Sequence, residues 1–259
     1  MSKLTKAQAK AHQQAEDLLT QEVLTFEDKL FVMENWREDA QHVNSSAGAF
    51  FTPWGLARDF SLHVHGNRVV DLCAGAGALS LAVWQSQAWE RHGGATPIDI
   101  TCVELNPEYV RVGKKLLPEA TWIQASIFDL PDLGRFDTAI SNPPFGNIKR
   151  GGGDAPRYKG AKFEYHVIDV AADLADHGAF IIPNMSAGFE YSGKPMFERV
   201  SNTKYTQFVE QTGIELEPGI GVDLTPYRDQ WHGVSPYLEI ACTDYTEREA
   251  LDLLDKAAA

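Results

Sequence analysis

The chain has 259 residues, enough for one large α/β domain or two small ones. Its composition, 44% hydrophobic and 23% charged, is ordinary for a soluble globular protein, and no apolar run approaches the roughly 18 to 20 residues needed to cross a bilayer. The formal net charge of −13 argues against a protein coated with phosphate-binding cations, so any basic footprint must be local.

The N-terminus is polar and alanine-rich without a hydrophobic signal core, which points to the cytoplasm. Cys73, Cys102 and Cys242 are odd in number and lack ligand spacing, so they read as reduced core residues, and the scattered histidines, His63 and His65 included, outline no metal site. Residues 3 to about 40 repeat apolar side chains at helical spacing, with a break near Leu24-Thr25-Phe26, and residues 1–45 are read as an N-terminal helical extension of a catalytic domain spanning 46–259. An aromatic stretch, Phe50 to Ala57, then leads through a turn into a helix.

Asn67 to Leu72 is an apolar strand that runs into the small-residue turn Cys73-Ala74-Gly75-Ala76-Gly77, followed by a helix to about Arg91. Glycines at 75 and 77 let backbone approach a ligand, and the helix start favours a negative group. The next strand, Ile98 to Val103, ends in Glu104-Leu105-Asn106-Pro107, and an acid placed there can accept hydrogen bonds from ribose hydroxyls. That glycine pattern also fits a nicotinamide-cofactor fold, but the third glycine or alanine of the dinucleotide fingerprint is absent, as is the lysine of a P-loop. Strands follow at Trp122 onward, at Phe136 to Ser141 and at Gly178 to Pro183, with a helix from about Lys162 to Asp176 between the last two. A helix around Lys194 to Gln211 and two strand-like runs, Ile214 to Val222 and Tyr237 to Cys242, close the chain as an antiparallel hairpin. The alternation gives a doubly wound, seven-stranded, mostly parallel sheet of Rossmann-like α/β type.

The fourth strand ends in Asn142-Pro143-Pro144-Phe145. Two prolines stiffen the turn, and the Asn142 side-chain oxygen with the Pro143 carbonyl can receive both hydrogens of an amino group. Phe145 offers a flat face on which an amino-bearing ring could stack; a proline-stiffened turn after a core strand is the plain alternative. Directly after it, Asn147 to Phe163 gathers Lys149, Arg150, Arg157, Lys159 and Lys162 against one acid, Asp154, which suggests contact with a polyanion or else a solvated loop.

Taken in order, these motifs resemble the class I S-adenosylmethionine-dependent methyltransferases, and among them the amino-group (adenine N6) type, over about Phe50 to Cys242. The resemblance implies S-adenosyl-L-methionine as cofactor, held by Phe50, Thr52 and Pro53, by Asp71, Ala74, Gly75 and Gly77, by Glu104 and Leu105, and by Ser126, Ile127 and Asn142. It implies Asn142, Pro143, Pro144 and Phe145 as the catalytic tetrapeptide, with Phe145, Lys149, Arg150, Arg157 and Lys159 on the substrate. The chain departs from the family after the third strand, where Ser126 stands in place of an acid facing the cofactor's adenine, with Asp129 three residues on; either can substitute. No separate target-recognition domain fits after Gly146, so selectivity is expected to be low, or carried by the loop Gly146 to Gly160, by the N-terminal helices, or by a partner chain or homodimer. The resemblance implies adenine N6 methylation of DNA, with RNA methylation, methylation of a protein glutamine amide and a non-enzymatic cofactor-binding subunit as rivals.

Overall fold

The structure is a computed structural model that describes residues 4–37, 51–90, 97–148, 153–232 and 234–246. Phe50, Lys149 and Arg150 lie outside the described residues, as does the expected boundary at 45/46.

Five parallel strands, β1 (Arg68–Leu72), β2 (Asp99–Glu104), β3 (Thr121–Gln124), β4 (Phe136–Ser141) and β5 (Ala175–Pro183), form most of one sheet. A two-residue hairpin, β6 (Phe189–Glu190) with β7 (Glu198–Arg199), stands apart. The sheet is completed by β8 (Glu217–Pro218) and by β9 (Leu238–Asp244), which runs antiparallel to both β5 and β8. The order is β3-β2-β1-β4-β5-β9-β8, seven strands. The central parallel strands β1, β2, β4 and β5 are largely buried on both faces, so they read as apolar runs rather than alternating ones, while the edge strand β3 is half-exposed.

Successive residues of those runs face opposite layers. Val70, Val103, Phe180 and Ile182 join one core, against α6 (Phe163–Ala171) and α8 (Thr203–Thr212). Val69, Ile100, Ile140 and Ile181 join the other, against α3 (Trp54–Phe60) and α4 (Ala78–Glu90). The N-terminal extension is two helices, α1 (Lys6–Leu19) and α2 (Phe26–Asn35), each begun by a threonine capping box at Thr5 and Thr25. They share a third core with α5 (Pro107–Leu116) and are held to it by the Arg111–Glu16 ion pair at 3.0 Å.

Three expectations need correcting. The helix expected from about Lys162 to Asp176 ends at Ala171, and β5 already begins at Ala175. The segment from Lys194 is not one helix: it passes through β7 first, and α8 starts only at Thr203, where Asn202 accepts from the amides of Lys204 and Tyr205. The run Ile214 to Val222 yields only the two paired residues of β8. A short helix, α7 (Asn184–Ala187), follows β5 and ends at Gly188 with φ +73°.

Candidate active site

Ligands of open α/β sheets sit beyond the carboxyl ends of the strands, and the strand register brings three candidate residues to that edge. Leu72 pairs with Val103 and Asp71 with Ile140, so Cys73, Glu104 and Asn142 stand level, Cys73 and Asn142 one residue past β1 and β4 and Glu104 as the last residue of β2. The Ser141 hydroxyl donates to the Leu72 carbonyl and ties β4 to β1 at this point. Asp71, Ala74, Gly75, Glu104, Asn142 and Pro144 line one cleft. Asn142 therefore faces the opening that the glycine turn forms, rather than turning away from it.

The turn after β1 is compact because its residues take left-handed backbone. Gly75 and Gly77 have φ +57° and +87°, and Cys73, unusually for a side-chain-bearing residue, has φ +61°. A Cβ on Gly75 would lie 3.2 Å from the Phe51 ring, and one on Gly77 2.9 Å from Trp122, so both positions need glycine. The Gly75 amide donates to Glu104 Oε2 at 2.8 Å, and Glu104 Oε1 takes the Asn106 amide at 2.8 Å. Burial raises the Glu104 pKa against those two amides. Asp71 is buried too: burial raises its pKa to about 7, while the Ser80 hydroxyl donates to Oδ2 at 2.7 Å and works the other way. Its Oδ1 is buried without a hydrogen-bond partner in the protein.

Asn142 is held by Thr52. Its Nδ2 donates to Thr52 Oγ1 at 2.9 Å, which fixes the planar head. The turn it belongs to is braced from beneath: the Gly146 amide donates to Glu164 Oε2 at 2.8 Å, and Ser186 Oγ donates to Oε1 of the same fully buried carboxylate at 2.8 Å. Glu164 thus joins the ends of β4 and β5, a role its place inside an apolar helix did not reveal. Sequence reasoning also missed the roof of the cleft. Val32 and Met33 of α2 and Trp36, just past its end, line it with Phe51 and Tyr109, and Trp36 stacks on Phe51 with centroids 5.7 Å apart while Phe51 meets Tyr109 edge-on at 5.0 Å.

Other expected site residues lie elsewhere. Leu105 is 66% exposed and is not a wall of the cleft. Ser126 accepts from the Phe128 amide at 3.3 Å and Ile127 is buried in the core; neither lines the cleft. Gly77 shapes the turn without facing the cleft, and Pro53 caps α3 beside an adjoining groove. Pro143 is buried, and Phe145 is half-buried against the α3–α4 core rather than exposed over the cleft. Arg157 and Lys159, expected on a polyanion, meet the protein's own acceptors. Arg157 pairs with buried Asp169 at 2.6 Å and with Asp173, and the Lys159 ammonium donates to the Ala155 carbonyl at 3.0 Å. Carboxylates on α6 and just after it hold Arg157, and backbone carbonyls hold Lys159.

No family model and no curated protein matches the sequence. Solved structures do match in shape. A candidate class I S-adenosylmethionine-dependent methyltransferase from Listeria monocytogenes superposes with TM-score 0.58 at 10% identity, over 85% of this chain and 68% of that one. The methyltransferase subunit of a type I restriction-modification system from Streptococcus thermophilus superposes with TM-score 0.51 at 13% identity, over 83% of this chain and 49% of that one. The fold is the Rossmann-like methyltransferase fold. At these identities the likeness is one of fold.

The cleft's residues fit the cofactor that such a fold implies. A partnerless Asp71 oxygen suits an ammonium, a carboxylate beside the glycine turn suits vicinal hydroxyls, and an aromatic roof suits the apolar body between them.

Proposed function

We propose that this chain transfers the methyl group of S-adenosylmethionine to an exocyclic amino group, adenine N6 of DNA in the first instance, with low or partner-supplied sequence specificity. The observation that carries the reading is Asn142 on the wall of the same cleft as Asp71, Gly75 and Glu104, its head fixed by Thr52. When bound, the cofactor supplies an electrophilic methyl group. The chain's own part is to align the acceptor: the Asn142 side-chain oxygen and the Pro143 carbonyl accept the two amino hydrogens, which draws the nitrogen lone pair out of the ring. A duplex adenine would have to leave its stack to reach this turn. The Phe50-x-Thr52-Pro53 element, which resembles that of DNA adenine methyltransferases, favours DNA over RNA.

The test is radiolabelled methyl transfer from S-adenosylmethionine to duplex DNA, single-stranded DNA, RNA and protein in parallel, followed by analysis of the labelled product. The expected product is N6-methyladenine from DNA, absent with Asn142→Ala while cofactor affinity stays within a few-fold. Label confined to RNA or to glutamine amides would move the substrate; label in none of them would end the reading.

A further inference from the structure

A second hollow opens beyond the carboxyl end of β5, walled by Asn184, Ser192, Thr225, Arg228, Tyr237 and Glu239. It is on the acceptor side of the catalytic turn. Ser141 pairs with Phe180, so Asn184 lies three residues past the level of Asn142, and its amide donates to the Tyr237 carbonyl at 3.0 Å. Strand spacing places the Tyr237 backbone about 10 Å across and about 10 Å along from that of Asn142, a gap that the two side chains and a nucleotide flanking the acceptor would have to span together.

Arg228 is chemically out of step with six other described arginines. Arg58, Arg68, Arg111, Arg135, Arg157 and Arg199 each have a carboxylate within ion-pair distance. Arg228 has none among the described residues: its guanidinium carbon lies 3.5 Å from the centre of the Tyr237 ring, and its Nε is buried without a hydrogen-bond partner. Such a planar donor fork matches an oxyanion. Glu239, in the same hollow, forms no ion pair with it: its carboxylate accepts instead from the Tyr191 amide at 2.9 Å and from the Ser192 amide and hydroxyl at 3.0 and 2.8 Å. The support beneath Arg228 is anchored: Tyr227 donates to Asp59, Trp231 is buried, and Asp223 accepts from the amides of Gly193 and Thr225. Tyr237 is 62% exposed, leaving ring surface for a second planar group.

We infer that Arg228 and Tyr237 form a subsite for the nucleotide flanking the acceptor in a single strand of nucleic acid, phosphate on the guanidinium and base against the aromatic face. The choice of ligand rests on the methyl-transfer reading above. It also relocates the polyanion contact from Arg157 and Lys159 to the opposite flank of the catalytic turn.

The test is the affinity of the whole chain for short single-stranded DNA and RNA oligonucleotides, by fluorescence anisotropy across a salt series, with thermal melting to confirm folding. Arg228→Gln should lower the slope of log affinity against log salt by about 0.7, one single-strand phosphate. Arg228→Lys should keep the slope but bind more weakly, since charge stays and the fork is lost. Tyr237→Leu should weaken binding about tenfold with the slope unchanged. Unchanged affinity and slope in folded Arg228→Gln would overturn the subsite, as would a wild type that binds neither oligonucleotide. Methyl transfer is scored separately: transfer that ignores Arg228 sinks the subsite alone, and Arg228-dependent binding without transfer sinks the reaction alone.

Discussion

The Asp71 carboxyl is buried at the base of the cleft with a pKa of about 7, against roughly 3.9 for a solvated aspartate. Between those values the folded chain holds a proton that the unfolded chain has released. The stability this group contributes is therefore complete below about pH 4 and is lost as pH rises through about 7. A ligand ammonium beside Oδ1 reverses the preference, so S-adenosylmethionine affinity should rise with pH up to about 7, by as much as tenfold per unit, and level off above it. Calorimetric titration at several pH values checks this. Glu104 is shifted in the same direction, so Asp71→Asn isolates the effect: that variant should bind more weakly, lose most of the pH slope and melt higher without ligand at neutral pH. Cys73 poses the opposite problem, a side chain in left-handed backbone at φ +61°. Cys73→Gly should stabilise the fold by up to about 1 kcal/mol, read as a shift in the urea midpoint, the relief of strain being partly offset by the entropy of an added glycine. At Thr52 the expected split is between Ser, which can still accept from Asn142, and Val, which cannot. Turnover should survive the first and fall by about an order of magnitude or more in the second.

Elements announced themselves in the sequence where one periodicity ran long enough to be read. Val69-Val70, Ile100 to Val103 and Ala139-Ile140 are apolar on both faces because helices cover both sides of the sheet, and Thr25, Asn106 and the two capping boxes mark helix starts within a residue or two. The β6–β7 hairpin was illegible because two-residue strands carry no alternation, and its register is set by Val200 donating to the Gly188 carbonyl and by Glu239 holding Tyr191 and Ser192. The helical extension was legible as helices but not as a wall of the cleft, since only folding shows that Val32 and Trp36 face α5 and the glycine turn. Trp36 is 3% exposed, packs on Phe51 and Tyr109, and donates from its indole nitrogen to Glu16 at 2.6 Å. Trp36→Ala should cost about 3 to 5 kcal/mol, seen as a lower melting temperature, and should weaken S-adenosylmethionine binding because the roof loses its central ring. Trp36→Phe, which keeps the stacking and drops the indole donor, should recover most of the affinity.

Across the whole molecule the acidic balance decides where a polyanion can be met. With 36 acidic residues against 23 lysines and arginines, several of the described cations are claimed internally, and position in the chain is a poor guide to which remain available. The basic run after the catalytic turn illustrates this: its strongest cation, Arg157, is bound by Asp169, whose side chain is fully buried and also accepts the amides of Arg157 and Tyr158 at 2.7 and 2.8 Å. Removing a partner from a buried charge is costly even where the pair itself adds little, because the remaining charge has no water to turn to. Arg157→Gln should therefore lower stability by about 3 kcal/mol or more in chemical denaturation. Below its unfolding transition, the same variant should bind oligonucleotide with an unaltered salt slope. An altered slope with unaltered stability would mean that Arg157 leaves Asp169 for phosphate, and that the acidic chain meets nucleic acid through the loop that follows the catalytic turn.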